Sequence, residues 1–144
     1  MDEERKRARS EAFRQAHQEL LQLIDTMSPK LVPSELARDG NNARAMLSML
    51  AGKLTIHLAM EDRALYPRLA THADGDVRKL AERFEKEMGG ILGVFKQYVA
   101  HWPTAEAIQS NSAGFVHETQ EIFDALRARI AKEDAEIFPR LDET

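Results

Sequence analysis

The 144-residue chain has no cysteine, which excludes disulfides, thiolate metal sites, iron–sulfur ligation and cysteine nucleophiles together. Any metal must therefore sit on nitrogen and oxygen. A basic stripe interleaved with aromatics is also missing. With 24 acidic residues against 20 basic ones, the mildly acidic balance argues against a nucleic-acid partner. The opening MDEERKRARSE is charged without an apolar centre, and no apolar run approaches the roughly 20 residues a membrane span needs. The expectation is a cytoplasmic protein with no membrane partner. Glycine-rich phosphate loops, nucleophile elbows and paired acid/base motifs are absent, and nothing specifies a substrate, so catalysis ranks last among the functions considered. The length suits one domain spanning 1–144.

The strand template fits nowhere, whereas four segments place apolar residues at alternating three and four spacing, the mark of helices that present one stripe to a common core. The first stripe is Phe13, His17, Leu20, Ile24 and Met27; it predicts a helix over about residues 5 to 27, stopped at Ser28-Pro29. After Pro33 and the turn signal Asp39-Gly40-Asn41-Asn42, a second stripe runs Leu50, Leu54, His57, Glu61, Leu65 and ends near Pro67. The third, over about 75 to 100, is capped by Asp74 or Asp76 and runs Val77, Phe84, Met88, Ile91, Phe95, Tyr98. Ser110-Asn111-Ser112 caps the fourth, which runs Phe115, Ile122, Leu126, Arg129, Glu133, Ile137 up to Pro139. The expected fold is all-α, an antiparallel up-down-up-down four-helix bundle.

The chain is also an internal duplication. HLAMEDRALYPRL, from His57 to Leu69, recurs as RIAKEDAEIFPRL from Arg129 to Leu141. The first and third helices correspond as well, with Phe13 and His17 in phase with Phe84 and Met88. A pseudo-twofold bundle sets corresponding stripe residues around its axis, so His17, His57 and Glu61 are expected to face Met88, Arg129 and Glu133 at one level of the core. Polar groups on a core stripe are costly unless paired, so their placement needs a cause. Two imidazoles with the carboxylates of Glu61 and Glu133 form a two-histidine, two-carboxylate set. Such a set suits iron, manganese or zinc, and leaves room for water or a small gas at a six-coordinate metal. The bland reading is that His17 and His57 are core histidines bonded to carboxylates.

These elements resemble the hemerythrin family in its bacterial HHE cation-binding form: His17 on the first helix, His57-x-x-x-Glu61 followed by Tyr66-Pro67 on the second, and the Glu133-to-Pro139 ending of the fourth. The resemblance covers most of the chain. It implies an antiparallel four-helix bundle that normally holds two irons bridged by two carboxylates, and that binds dioxygen or nitric oxide or serves in sensing. By the same resemblance Glu61 and Glu133 match the bridging carboxylates, while His17 and His57 match the histidines completing one iron. The other half departs from the pattern, for Met88 and Arg129 stand where histidines are usual.

Arg129 is a permanent cation whose planar donors suit two carboxylates, and it is expected to bond to Glu133 and also to Glu61 where a metal once stood. The bland alternative lets its head snorkel to solvent. Gly89, Gly90 and Gly93 interrupt the third helix at about 1 kcal/mol each relative to alanine. They open a path to the site, admit Arg129, let a partner helix approach, or mark a solvent-facing kink. His72, His101 and His117 are expected at the surface. The leading expectation is a protein holding one non-heme ion, iron before zinc or manganese, that binds or senses a small ligand or the metal itself. The alternative from another class is a metal-free regulatory module that works through protein partners, its former site now an Arg-Glu-His network.

Overall fold

Residues 2–143 are described by the computed structural model, with side chains described from residue 9; the two ends of the expected 1–144 domain, residues 1 and 144, lie outside them. Described residues are helical almost throughout, with no strand among them. Helix α1 spans Asp2–Met27 and is followed by a 3-10 turn, Ser28–Lys30, with Pro29 near its start. Helix α3 spans Asn41–Met60, so Asn41 and Asn42, read as part of a turn, instead open this helix. Gly40 is its N-cap residue, and the preceding Asp39 side chain accepts the Asn41 backbone N–H at 2.9 Å. Asp74 caps α5, Gly75–Met88, and Asn111 caps α8, Ser112–Lys132, each by accepting a backbone N–H of the first turn.

Short helices that the stripes did not reveal lie in the two long connections. Helix α2, Pro33–Arg38, starts on a proline whose missing N–H costs nothing there, and α7, Ala105–Ser110, is capped by Thr104. They are duplicates at the same sequence offset as the repeated motif, and they pack together with Leu36 and Ile108 buried. Gly40 sits at that junction because a Cβ there would come within 2.7 Å of the Ala105 carbonyl.

Two expectations about helix ends are corrected. The second and fourth helices do not stop at Pro67 and Pro139. Each passes instead through one π turn, Glu61–Leu65 and Glu133–Ile137, and resumes as α4, Tyr66–Ala70, and α9, Phe138–Asp142. An in-line proline would clash with the carbonyl four residues back. Widening the preceding turn, so that Tyr66 N–H bonds to the Glu61 carbonyl and Phe138 N–H to that of Glu133, lets the chain carry the proline onward. The third helix is not continuous either. It breaks at Gly89-Gly90 into α5 and α6, Ile91–His101. Gly90 and Gly93 face open space, as a solvent-facing kink requires.

The core is divided. One large apolar cluster, including Leu20, Leu47, Leu54, Phe115 and Phe123, fills one end, and a smaller one, with Leu65, Tyr66, Phe84, Ile137 and Phe138, fills the other. The buried polar residues His17, His57, Glu61, Arg129 and Glu133 come between these clusters in every helix that carries them. No helix among the described residues is long and apolar enough to cross a membrane.

Candidate metal centre

The spacing of the polar residues dictates their meeting. His57 and Glu61 are one helical turn apart and so share a face, as do Arg129 and Glu133, while His17 reaches them from α1, which packs along α3 and α9. All five are buried, Glu61 completely. His17 Nε2 lies 3.2 Å from Glu133 Oε1 and 3.6 Å from Glu61 Oε2, and His57 Nε2 lies 3.3 Å from Glu61 Oε2. One ligand atom from each of His17, His57, Glu61 and Glu133 falls within 4.8 Å of the others. The sequence expectation of convergence at one level is met by these four.

Arg129 occupies the other half. Its side chain is only 2% exposed, which rules out snorkelling. Its hydrogen bonds differ from the expected order: Nη2 donates to Glu61 Oε1 at 3.2 Å, whereas Glu133 is met only at ion-pair range, 3.6 Å from Nε. Nη1 donates to the Met88 carbonyl at 3.2 Å. The break in the third helix therefore serves Arg129, because the carbonyl at the end of α5 lies next to the Gly89-Gly90 interruption. Met88 contributes that backbone oxygen and a half-buried side chain, and no polar side-chain atom. His101 and His117 are exposed and pair with Glu118 and Glu121, and half-buried His72 accepts the Asp74 N–H, so none of the three joins the centre.

Two neighbours escaped the sequence reading. Tyr66 Oη donates to Glu133 Oε2 at 2.6 Å, and Asp134 Oδ1 lies 2.8 Å from His17 Nδ1. Both had a signal in the repeated motif, where the aromatic before proline and the aspartate after the buried glutamate recur. Aromatic rings close the site in matched pairs. Tyr66 stacks on Phe84 at 5.4 Å, Phe13 sits 5.8 Å from Phe138, and Phe138 stacks on the His17 ring at 5.0 Å.

Burial and charge set the proton balance of these groups. Burial opposes a charged His17, but the carboxylates of Glu133 and Glu61 beside its Nε2 outweigh it and raise the imidazole to about 10. Burial likewise opposes ionised Glu61, yet the adjacent His17 and His57 imidazoles pull it well below the usual carboxylate range. Glu133 is pushed up to about 7, by burial first and then by the neighbouring Glu61 charge. Arg129 resists burial and stays firmly charged because Glu133 and Glu61 face it.

The donor set passes a chemical test for a metal. Among the described residues, the buried side-chain atoms left without a hydrogen-bond partner are His17 Nε2, His57 Nε2, Glu61 Oε2, Glu133 Oε1 and Arg129 Nε. Unpartnered buried polar atoms are rare because each costs about 1–3 kcal/mol. Here four of the five are the mutually converging nitrogen and oxygen donors, the kind a divalent ion would satisfy. A hemerythrin HHE cation-binding domain model matches residues 8–141, nearly the whole chain. The chain belongs to the hemerythrin family. No curated protein and no solved structure matches it. As a family member its metal-binding character is expected of the domain.

The half that keeps the histidines also carries an opening. A cavity of about 270 Å³ lies between α1 and α3, lined by Phe13, Ala16, Leu20, Ile56 and Met60, and reaches the His57 ring. The repeat places Glu87 and Lys132 where this half has Ala16 and Met60, and their ion pair, 3.1 Å long, occupies the equivalent positions of the other half.

Proposed function

We propose that this hemerythrin-family domain holds a single non-heme metal ion, iron before zinc or manganese, through His17, His57, Glu61 and Glu133, and that it binds or senses a small ligand there. The observation that carries the reading is the convergence of four unpartnered, buried donor atoms within 4.8 Å. A donor set of imidazole and carboxylate, with no thiolate, fits iron in particular among redox-active metals. When bound, such an ion supplies Lewis acidity and coordination positions beyond the four protein ligands. Arg129 supports a count of one rather than two, because its guanidinium already stands against both carboxylates. The surrounding residues do the rest. Tyr66 holds Glu133, Phe138 sets the His17 plane, and the apolar cavity beside His57 offers a path for a small uncharged molecule, with room for several of water size at ~30 Å³ each. Reversible oxygen carriage by a two-iron centre is not part of this reading.

The arms of the bundle are inferred to run up-down-up-down, antiparallel, as one domain. In support, residues rising along α1 meet residues falling along the fourth arm: Ser10 with Asp142, His17 with Asp134, Asp25 with Arg127. Against α3, likewise, His17 meets Glu61 while the later Glu19 meets the earlier Lys53.

One observation favours a second reading, a metal-free regulatory module that acts through a protein partner. His17 and Arg129 both face Glu61 and Glu133, so the buried carboxylates have cationic neighbours within the protein without an ion. Elemental analysis of freshly purified protein, with anomalous scattering at the centre, decides between them. Close to one equivalent of metal, lost on His57→Ala or Glu61→Ala, supports the first reading. Substoichiometric metal and indifference to chelators overturn it in favour of the second.

A further inference from the structure

We propose, on the reading that an ion is held at this centre, that Asp134 is a positioning residue that fixes the His17 imidazole for the metal. Both copies of the repeated motif carry Glu-Asp, yet only the glutamates enter the donor set, which leaves the aspartates without a role. Consecutive helical residues are about 100° apart, so a glutamate aimed at the centre puts the next side chain at the edge of the arm. Asp134 stands at such an edge with its side chain 38% exposed, and it reaches His17 Nδ1 at 2.8 Å. An ionised carboxylate only accepts hydrogen bonds, so Nδ1 is the donor in this pair. The other nitrogen, Nε2, is the unpartnered one that faces Glu61 and Glu133. Phe138 stacks on the same ring and His57 meets it edge-on at 4.7 Å, so aspartate and rings together hold the ring's angle and rotation.

The other half supplies an internal comparison. Asp62 has the same place in the motif and nearly the same exposure, 37%. Its half has Met88 in place of the histidine, and Asp62 lies 3.7 Å from Arg129 instead. The aspartate holds an imidazole only in the half that has a ligand histidine to hold. Outer carboxylates of this kind raise ligand basicity and orient the ring, and their removal typically weakens metal binding 10–100-fold.

The test compares wild type with Asp134→Ala, Asp134→Asn and Glu136→Ala, the last removing an exposed acid from the same turn. Zn(II) affinity is measured by competition with a chromophoric chelator, and the His17 Nδ1 proton is followed by NMR in the zinc-loaded chain. The expected result is a 10–100-fold loss of affinity in Asp134→Ala, a smaller loss in Asp134→Asn, which keeps an acceptor oxygen, and no change in Glu136→Ala. The exchange-protected Nδ1 proton is expected in wild type and Asp134→Asn and absent from Asp134→Ala. Equal affinity in wild type and Asp134→Ala overturns the inference alone. So does a zinc-loaded wild type without a protected Nδ1 proton, a result that needs no variant to fold. A wild type that binds no zinc and retains no iron overturns the metal reading and the inference with it.

Discussion

Arg129 Nη1 donates a 3.2 Å hydrogen bond to the carbonyl of Met88, so the two residues that replace His57 and His17 in the second repeat hold each other. This link joins the Arg129 side of the cluster to the break in the third helix. A single substitution undoes only part of it. Replacing Arg129 with alanine leaves Glu61 and Glu133 buried with only the His17 imidazole to offset them, and removing one partner of a buried ion pair costs about 3–5 kcal/mol. The metal-free Arg129→Ala protein is expected to unfold at correspondingly lower urea, with added divalent metal recovering part of the loss. Met88→His with Arg129→His replaces the guanidinium by two neutral donors, and elemental analysis is expected to rise from about one metal per chain towards two.

In the proposed reading, metal and protons compete for the same atoms. His17 lies at about 10 in the fold against an ordinary 6.5, so its contribution to metal-free stability is fully present below 6.5 and is lost as pH rises through 10. Glu133, raised from 4.5 to about 7, acts in the same direction, since the folded chain keeps a proton that the unfolded chain has released. Glu61, held low, adds stability above 4.5 and loses it only on acidification. Metal-free protein is therefore expected to lose stability from about pH 5 to pH 10 in urea titrations, while metal affinity rises over the same window. Calorimetry of zinc binding at pH 7, repeated in buffers of different ionisation heat, is expected to register net proton release. A heat that is the same in every buffer would contradict this.

His17, His57, Glu61 and Glu133 were legible in the sequence because a polar residue on an apolar helical stripe breaks its pattern, and the duplication showed which of them correspond. Arg129 was legible for the same reason, though not its preference for a hydrogen bond to Glu61. The π turns were hidden, since Pro67 and Pro139 read as stops when only the local clash is considered. That a widened turn can carry a proline onward depends on Leu69 and Leu141 finding a core beyond it. Helices α2 and α7 were missed because six residues hold too few apolar positions to show a period. Asp134 lies off every stripe, and what it touches is set by the packing of α1 against α9, which no single-helix pattern encodes.

Tyr66 separates packing from hydrogen bonding at the centre. Its ring stacks on Phe84 within 14° of parallel, and its hydroxyl meets Glu133 in a buried contact. Tyr66→Phe keeps the ring and removes only the hydroxyl, as its counterpart Phe138 does naturally. The expected cost to metal-free protein is about 1.5–3 kcal/mol, the range for a hydrogen bond to a charged group, read from chemical unfolding. An unchanged midpoint would show that Glu133 finds another donor.

The cavity between α1 and α3 makes access testable apart from affinity. Ala16 and Met60 line it, and their counterparts Glu87 and Lys132 pair across the half without ligand histidines. Ala16→Phe fills the cavity from α1 without touching a donor atom. Metal content by elemental analysis is expected to stay at the wild-type level, because His17, His57, Glu61 and Glu133 are unaltered. The stopped-flow rate of nitric oxide binding to the ferrous protein is expected to fall about tenfold or more, as a barrier of 1.4 kcal/mol or above on the entry path requires. An unaltered rate would mean that small molecules enter elsewhere, and another opening lies beside Tyr66, Ala81 and Glu85. Filling that opening with Ala81→Leu is then the matching experiment, and the two rates together identify which half of the duplication admits a ligand.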